Sequence, residues 1–105
     1  MAYTFTYYHA GTIEVPINEE GLNIGRRFRF APYFQVPRHC KQTSCEHARL
    51  YLRDNKCFVK DLGSTNGTFV NGQRIEENTS LRDGDEIVFG KDRRVSFRIT
   101  IKEVG

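Results

Sequence analysis

The chain has 105 residues, a net charge of +3, 38% hydrophobic residues, eight Phe and five Tyr. That size and aromatic content suit one folded domain with its own core and exclude a disordered tail. No run approaches the ~20 apolar residues of a membrane span, and the N-terminal MAYTFTYYHAGT lacks the basic-then-apolar order of a signal peptide.

The expected location is therefore cytoplasmic or nuclear. Three cysteines, Cys40, Cys45 and Cys57, cannot all pair within one molecule and are expected to be reduced there.

In chain order, period-two alternation dominates. Tyr3, Phe5 and Tyr7 share one face, and so do Ile13, Val15 and Ile17; a turn signal at Asn18–Gly21 follows. Ala48, Leu50 and Leu52 alternate with Arg49, Tyr51 and Arg53 before the turn Asp54-Asn55-Lys56. Thr68-Phe69-Val70 and Gln73-Arg74-Ile75 flank Asn71-Gly72, a hairpin signal, because a type I′ turn needs two positive φ angles. Further turns are expected at Asn66-Gly67 and Asp83-Gly84. The sharpest alternation closes the chain, with Val95, Phe97, Ile99 and Ile101 on one face of Arg94–Ile101. No window has a capped helical period. Short strands with tight turns predict an all-β fold: a two-sheet antiparallel sandwich over residues 1–105, as a single domain.

The charge is unevenly spread. Arg26, Arg27, Arg29, Arg38, Lys41, Arg49 and Arg53 crowd residues 26–53 against one acid, Glu46, so the remainder is slightly acidic. Such a stretch suits an anionic ligand. Its least regular part, Arg27 to Thr43, holds Pro32 and Pro37, and binding residues often sit on such loops.

Three short segments stand out: Ile24-Gly25-Arg26, Ser44-Cys45-Glu46-His47-Ala48, and the long string Asp61 to Gly72 (DLGSTNGTFVNG). A fourth, Leu81 to Gly90 (LRDGDEIVFG), follows. In order and spacing these resemble the forkhead-associated (FHA) family over about residues 20–101. The resemblance implies a sandwich of the FHA/SMAD-like kind, with binding loops gathered at one end, and a signalling adaptor that binds phosphothreonine. It implies no cofactor and no enzymatic activity. The expected partner is a phosphothreonine-containing protein, a Ser/Thr kinase or its substrate.

The chemistry can be argued beside the resemblance. A phosphothreonine carries about −1.5 to −2 charges and three acceptor oxygens, so it needs a guanidinium, hydroxyls and N–H groups converging at one point. Arg26 would supply charge, Ser44 a hydroxyl, and Thr65 a hydroxyl or main-chain donor. By resemblance, Asn66 holds the bound peptide's backbone, while His47 and Asn71 brace the loops. Gly25, Gly63 and Gly67 would let the loops turn close to the ligand.

The chain also departs from the family. Cys45, counted with the phosphopeptide-binding residues by its position, stands where a second phosphate-binding arginine is frequent, and Thr43 where an aliphatic residue is usual. Arg27, Arg38, Lys41 and Gln42 are the candidates for accessory contacts.

Other readings compete. Ser44 and His47 lack the glycine-framed elbow and orienting acid of a nucleophile pair. His39, Cys40, Cys45, His47 and Cys57 are zinc-ligand types, but their spacing matches no common finger, and no metal site is assigned. Cys57 reads as a buried apolar residue, whereas Cys40 and Cys45 read as exposed beside the basic stretch. Phe28, Phe30, Tyr33 and Phe34 among arginines suggest nucleic-acid binding through residues 26–53 as an alternative. A degenerate FHA scaffold that binds protein without phosphate dependence is another.

Overall fold

The alternating runs become strands in the computed structural model of the chain, which describes residues 2–27 and 33–105. Phe28, Arg29, Phe30 and Pro32 lie outside the described residues.

Eleven strands are described: β1 Ala2–Tyr8, β2 Thr12–Ile17, β3 Leu22–Gly25, β4 Tyr33–Gln35, β5 Ala48–Arg53 and β6 Lys56–Asp61, then β7 Thr68–Val70, β8 Gln73–Arg74, β9 Thr79–Leu81, β10 Glu86–Phe89 and β11 Phe97–Val104. They form a six-stranded sheet in the order β2-β1-β11-β10-β7-β8 and a five-stranded sheet in the order β4-β3-β5-β6-β9. Pairing is antiparallel except for β3 with β4, which run parallel.

The pleat explains the burial. Along β11, Phe97, Ile99 and Ile101 are buried while Arg98, Thr100 and Lys102 face solvent. Phe5, Ile24, Leu50, Ile87 and Phe89 meet them in the core, each with 0% of its surface exposed. Each such side chain contributes about 1.5–3 kcal/mol on burial. Cys57 is among them, and burial pushes its thiol up to about 12.

Two turns behave as their residues require. Asn71 and Gly72 have φ of 51° and 86°, so the β7–β8 link is the two-residue turn expected. Asp54 and Asn55, at 53° and 62°, make the same kind of turn between β5 and β6.

Three expectations need correction. Val95 is not in β11: Asp92 accepts a hydrogen bond from the Arg94 N–H, and Arg93–Val95 wind into a single 3-10 turn. Cys40 is buried rather than exposed, because the loop after β4 folds inward, with Val36 and Cys40 both in the core. Phe34 is half-buried and packs against the core. Its ring lies 5.3 Å from Phe5 and 5.4 Å from Phe97, so it is not free to stack on a base.

Candidate functional site

Arg26 and Arg27, just past β3, meet the β4–β5, β6–β7 and β10–β11 loops at one end of the sandwich. Main-chain bonds join β3 and these two residues to the β4–β5 loop. The His47 N–H donates to the Ile24 carbonyl at 3.0 Å, Arg26 N–H to Ser44 at 3.2 Å, and Arg27 N–H to Cys45 at 3.0 Å. This ladder continues past β3 and sets Arg26 beside Ser44 and Arg27 beside Cys45. The β6–β7 loop joins them, since the Thr65 N–H donates to Ser44 Oγ at 3.1 Å. Arg26, Ser44 and Thr65 therefore form one hydrogen-bonded group, although 39 positions separate the first from the last.

Arg26 is half-buried, and its Nε donates to the Thr43 carbonyl at 2.5 Å. Among the described residues no carboxylate pairs with it, so its Nη groups remain available for an anion. Ser44 Oγ accepts from Thr65, leaving its own proton to donate outward. Cys45 and Thr65 are exposed, and Arg27, Arg38 and Lys41 are exposed near them in sequence. Asn66 is half-buried, and its Nδ2 donates to the Gln42 carbonyl at 3.1 Å.

Beneath this surface His47 is fully buried. The Ser44 N–H donates to Nδ1 at 2.9 Å, so Nδ1 carries no proton; Nε2 then donates to the Gly67 carbonyl at 2.9 Å. One ring thus ties the β4–β5 and β6–β7 loops together, and it meets Phe89 in a T-shaped contact. Burial pulls its pKa down, against smaller upward pulls from the Gly67 bond and Asp61, which keeps the ring neutral.

Asp61, at the end of β6, collects the N–H groups of Gly63 and Ser64 and the hydroxyls of Ser64 and Thr68. Burial raises its pKa, but these hydrogen bonds outweigh it and hold the carboxyl below the ordinary value. The Ser64 hydroxyl in turn accepts from the Gly67 N–H at 3.0 Å. Gly67 sits at φ +89°, and a Cβ there would lie 2.8 Å from Arg74 Nε. Any side chain would displace that arginine.

Asn71 braces a more distant turn, donating to Asp85 and accepting from the Glu86 N–H, both at 3.0 Å. Gly25 differs from its expected role: it is a buried residue of β3, whose carbonyl accepts from Val36 N–H at 2.8 Å. Gln42 differs too. Its side-chain oxygen is occupied by the N–H groups of Lys91 and Asp92, both at 2.8 Å.

The basic stretch does not act as one patch. Arg49 donates to Asn23 and to the Glu20 carbonyl, and Arg53 lies by the turn that closes the far end of β5. Among the described residues, no group of three His, Cys, Asp or Glu side chains is close enough to hold a metal ion.

Sequence reasoning missed Asp61 and the role of Thr43. Asp61 had a local signal, since Asp followed by Gly and Ser favours side-chain-to-backbone turns. Thr43 had none, because its partners lie 46 and 54 positions away.

Comparison with known proteins gives a consistent picture. The family described as FHA domain matches residues 22–90. The glycogen accumulation regulator GarA of Mycobacterium tuberculosis is 42% identical over 52 residues, covering 50% of this chain and 32% of its own length. The chain thus spans about a third of that relative's length. The FHA domain of the CT664 protein from Chlamydia trachomatis superposes with a TM-score of 0.81 over 100% of both chains, at 19% identity. An FHA domain studied for phosphothreonine-dependent interactions gives 0.80 at 25% identity, over 100% of this chain and 99% of its own.

Proposed function

The chain belongs to the FHA domain family, and from that premise we propose that it is a phosphothreonine-dependent binding module, an adaptor downstream of a Ser/Thr kinase. FHA domains are non-catalytic modules that bind phosphothreonine peptides. Here Arg26, Ser44 and Thr65 are the residues proposed to hold the phosphate, and Asn66 the peptide backbone.

The observation that carries the reading is the hydrogen-bonded group of Arg26, Ser44 and Thr65, with the Arg26 guanidinium unpaired by any described carboxylate. The Arg26 guanidinium and the Ser44 and Thr65 hydroxyls, carried on one hydrogen-bonded group, are the donor types that a dianionic, three-oxygen group needs. The relative studied for phosphothreonine-dependent interactions supports the same reading.

Cys45 removes a frequent second cation. Arg27, exposed and bonded through its N–H to the Cys45 carbonyl, is proposed to supply charge in its place. Arg38 and Lys41 are exposed on the β4–β5 loop.

The test is a titration of a labelled phosphothreonine peptide against its unphosphorylated twin. The phosphopeptide should bind and the twin should not. Arg26→Ala should cost about 2–5 kcal/mol, since it removes the cation from a charged pair. Arg27→Ala should weaken binding less, and Cys45→Arg should strengthen it. Equal binding of both peptides would end the proposal and leave the phosphate-independent scaffold. Steeply salt-dependent binding to single-stranded DNA or RNA in its place would favour the nucleic-acid reading.

A further inference from the structure

The dipeptide Gln42-Thr43 presents two carbonyl oxygens to the site. The Gln42 carbonyl accepts from Asn66 Nδ2, and the Thr43 carbonyl accepts from Arg26 Nε. The rest of the dipeptide is fastened to the β10–β11 connection. Gln42 donates its N–H to the Val95 carbonyl at 2.9 Å, and its side-chain oxygen receives the Lys91 and Asp92 N–H groups. The Thr43 hydroxyl donates to the Phe89 carbonyl at 2.7 Å and accepts from the Phe97 N–H at 3.0 Å.

That last bridge sits where β10 and β11 part, so Thr43 caps the split between the two strands. Valine has the shape but neither the donor nor the acceptor. The hydroxyl thus has a physical reason to be there, in a fully buried site.

Gly90 makes the arrangement possible. It lies at φ +139°, and a Cβ on it would collide with Ser96 Oγ and come within 2.9 Å of Gln42 Cβ. Much of the anchor, Lys91 to Phe97, lies beyond the residues that the family match covers.

We infer that Gln42 and Thr43 are positioning residues: their side chains fix the dipeptide to the β10–β11 connection, so that its carbonyls hold Arg26 and Asn66 in the geometry that receives the phosphopeptide. The inference rests on the proposed function for its effect on affinity, but the positioning can be measured without ligand. Holding Arg26 through Nε leaves both Nη groups to meet an anion and removes rotamer freedom before binding. Pre-organisation of this kind lowers the cost of association.

The experiment uses the whole chain as Gln42→Ala, Thr43→Val and Thr43→Ser. The readouts are the NMR signals of Arg26 Nε–H and Asn66 Nδ2–H in ligand-free protein, and the Kd for a phosphothreonine peptide. Thr43→Val should release Arg26 Nε–H to rapid exchange, and Thr43→Ser should restore its protection. Gln42→Ala should shift and sharpen the Asn66 amide signals. Each disrupting variant should weaken the peptide about fivefold or more, on the scale of one lost hydrogen bond.

Should Thr43→Val fail to fold, Gln42→Ala decides alone, because Gln42 is half-buried and its partners lie at a surface turn. Unchanged Arg26 and Asn66 signals with unchanged Kd in the folded variants would overturn the inference. A wild-type protein that ignores phosphothreonine would instead sink the proposed function, and the ligand-free signals would still judge the positioning.

Discussion

Replacing His47 with alanine should cost about 3–5 kcal/mol of folding stability. The imidazole is fully buried and makes two hydrogen bonds of 2.9 Å, one to the Ser44 N–H and one to the Gly67 carbonyl. Alanine would leave both main-chain groups without their partner, the Gly67 carbonyl in a buried site and the Ser44 N–H in a half-buried one. Each such group costs about 1–3 kcal/mol. The edge contact with Phe89, at 5.5 Å between centroids, adds about 0.5–1.5 kcal/mol, and the vacated ring leaves a cavity.

Urea denaturation followed by circular dichroism measures the difference, because the chain has no tryptophan. With a slope of about 1–3 kcal/mol per molar urea, the midpoint should fall by roughly 2 M. The control is Cys45→Ser, an exposed change that should stay within about 0.5 kcal/mol. A loss below about 1 kcal/mol in His47→Ala would refute the reasoning, since it would mean that the two loops do not depend on the ring.

Three further outcomes follow from the same geometry. Burial holds the His47 pKa below the ordinary 6.5, so the unfolded chain takes up the proton first; stability should be fully present above about pH 6.5 and decline as pH falls below it. Urea midpoints measured from pH 7.5 to 5 check this, and the slope in that window should largely vanish in His47→Gln. Asp61→Asn should cost about 1–3 kcal/mol, because an amide NH2 would face N–H and O–H donors that now meet a carboxylate; thermal unfolding reads it. Asn71→Ala should cost about 1–2 kcal/mol in the same assay, by removing two hydrogen bonds and putting a Cβ without local bonding at φ 51°.

What could be read in the sequence was what short stretches of chain decide. Phe97, Ile99 and Ile101 are buried because a pleat alternates every residue, and Asn71-Gly72 turns because those two residues tolerate positive φ. The resemblance supplied the candidate site residues, and among them His47 hydrogen-bonds both the Ser44 N–H and the Gly67 carbonyl.

The supports of the site were not legible, because their partners come from other strands. Thr43 reads as a defect beside a usual aliphatic residue, yet it bridges Phe89 and Phe97 across the gap between β10 and β11. Cys40 reads as exposed from its polar neighbours, yet the loop carries it into the core.

Linear charge density misled for the same reason. Seven cations crowd residues 26–53, but β5 runs away from the loops that carry Ser44 and Thr65. Arg53 therefore ends at the opposite pole, and Arg49 reaches back to the β2–β3 turn. Among the described residues, what remains for an anion is not a long basic track but Arg26 and Arg27, each bonded through its N–H to the loop that carries Ser44 and Cys45, with Arg38 and Lys41 exposed on that same loop. A few arginines around one loop suit one phosphate better than the repeated phosphates of a nucleic acid strand, whose binding draws on many cations at once. The backbone pairing of two loops, rather than the count of arginines, is what favours a peptide ligand.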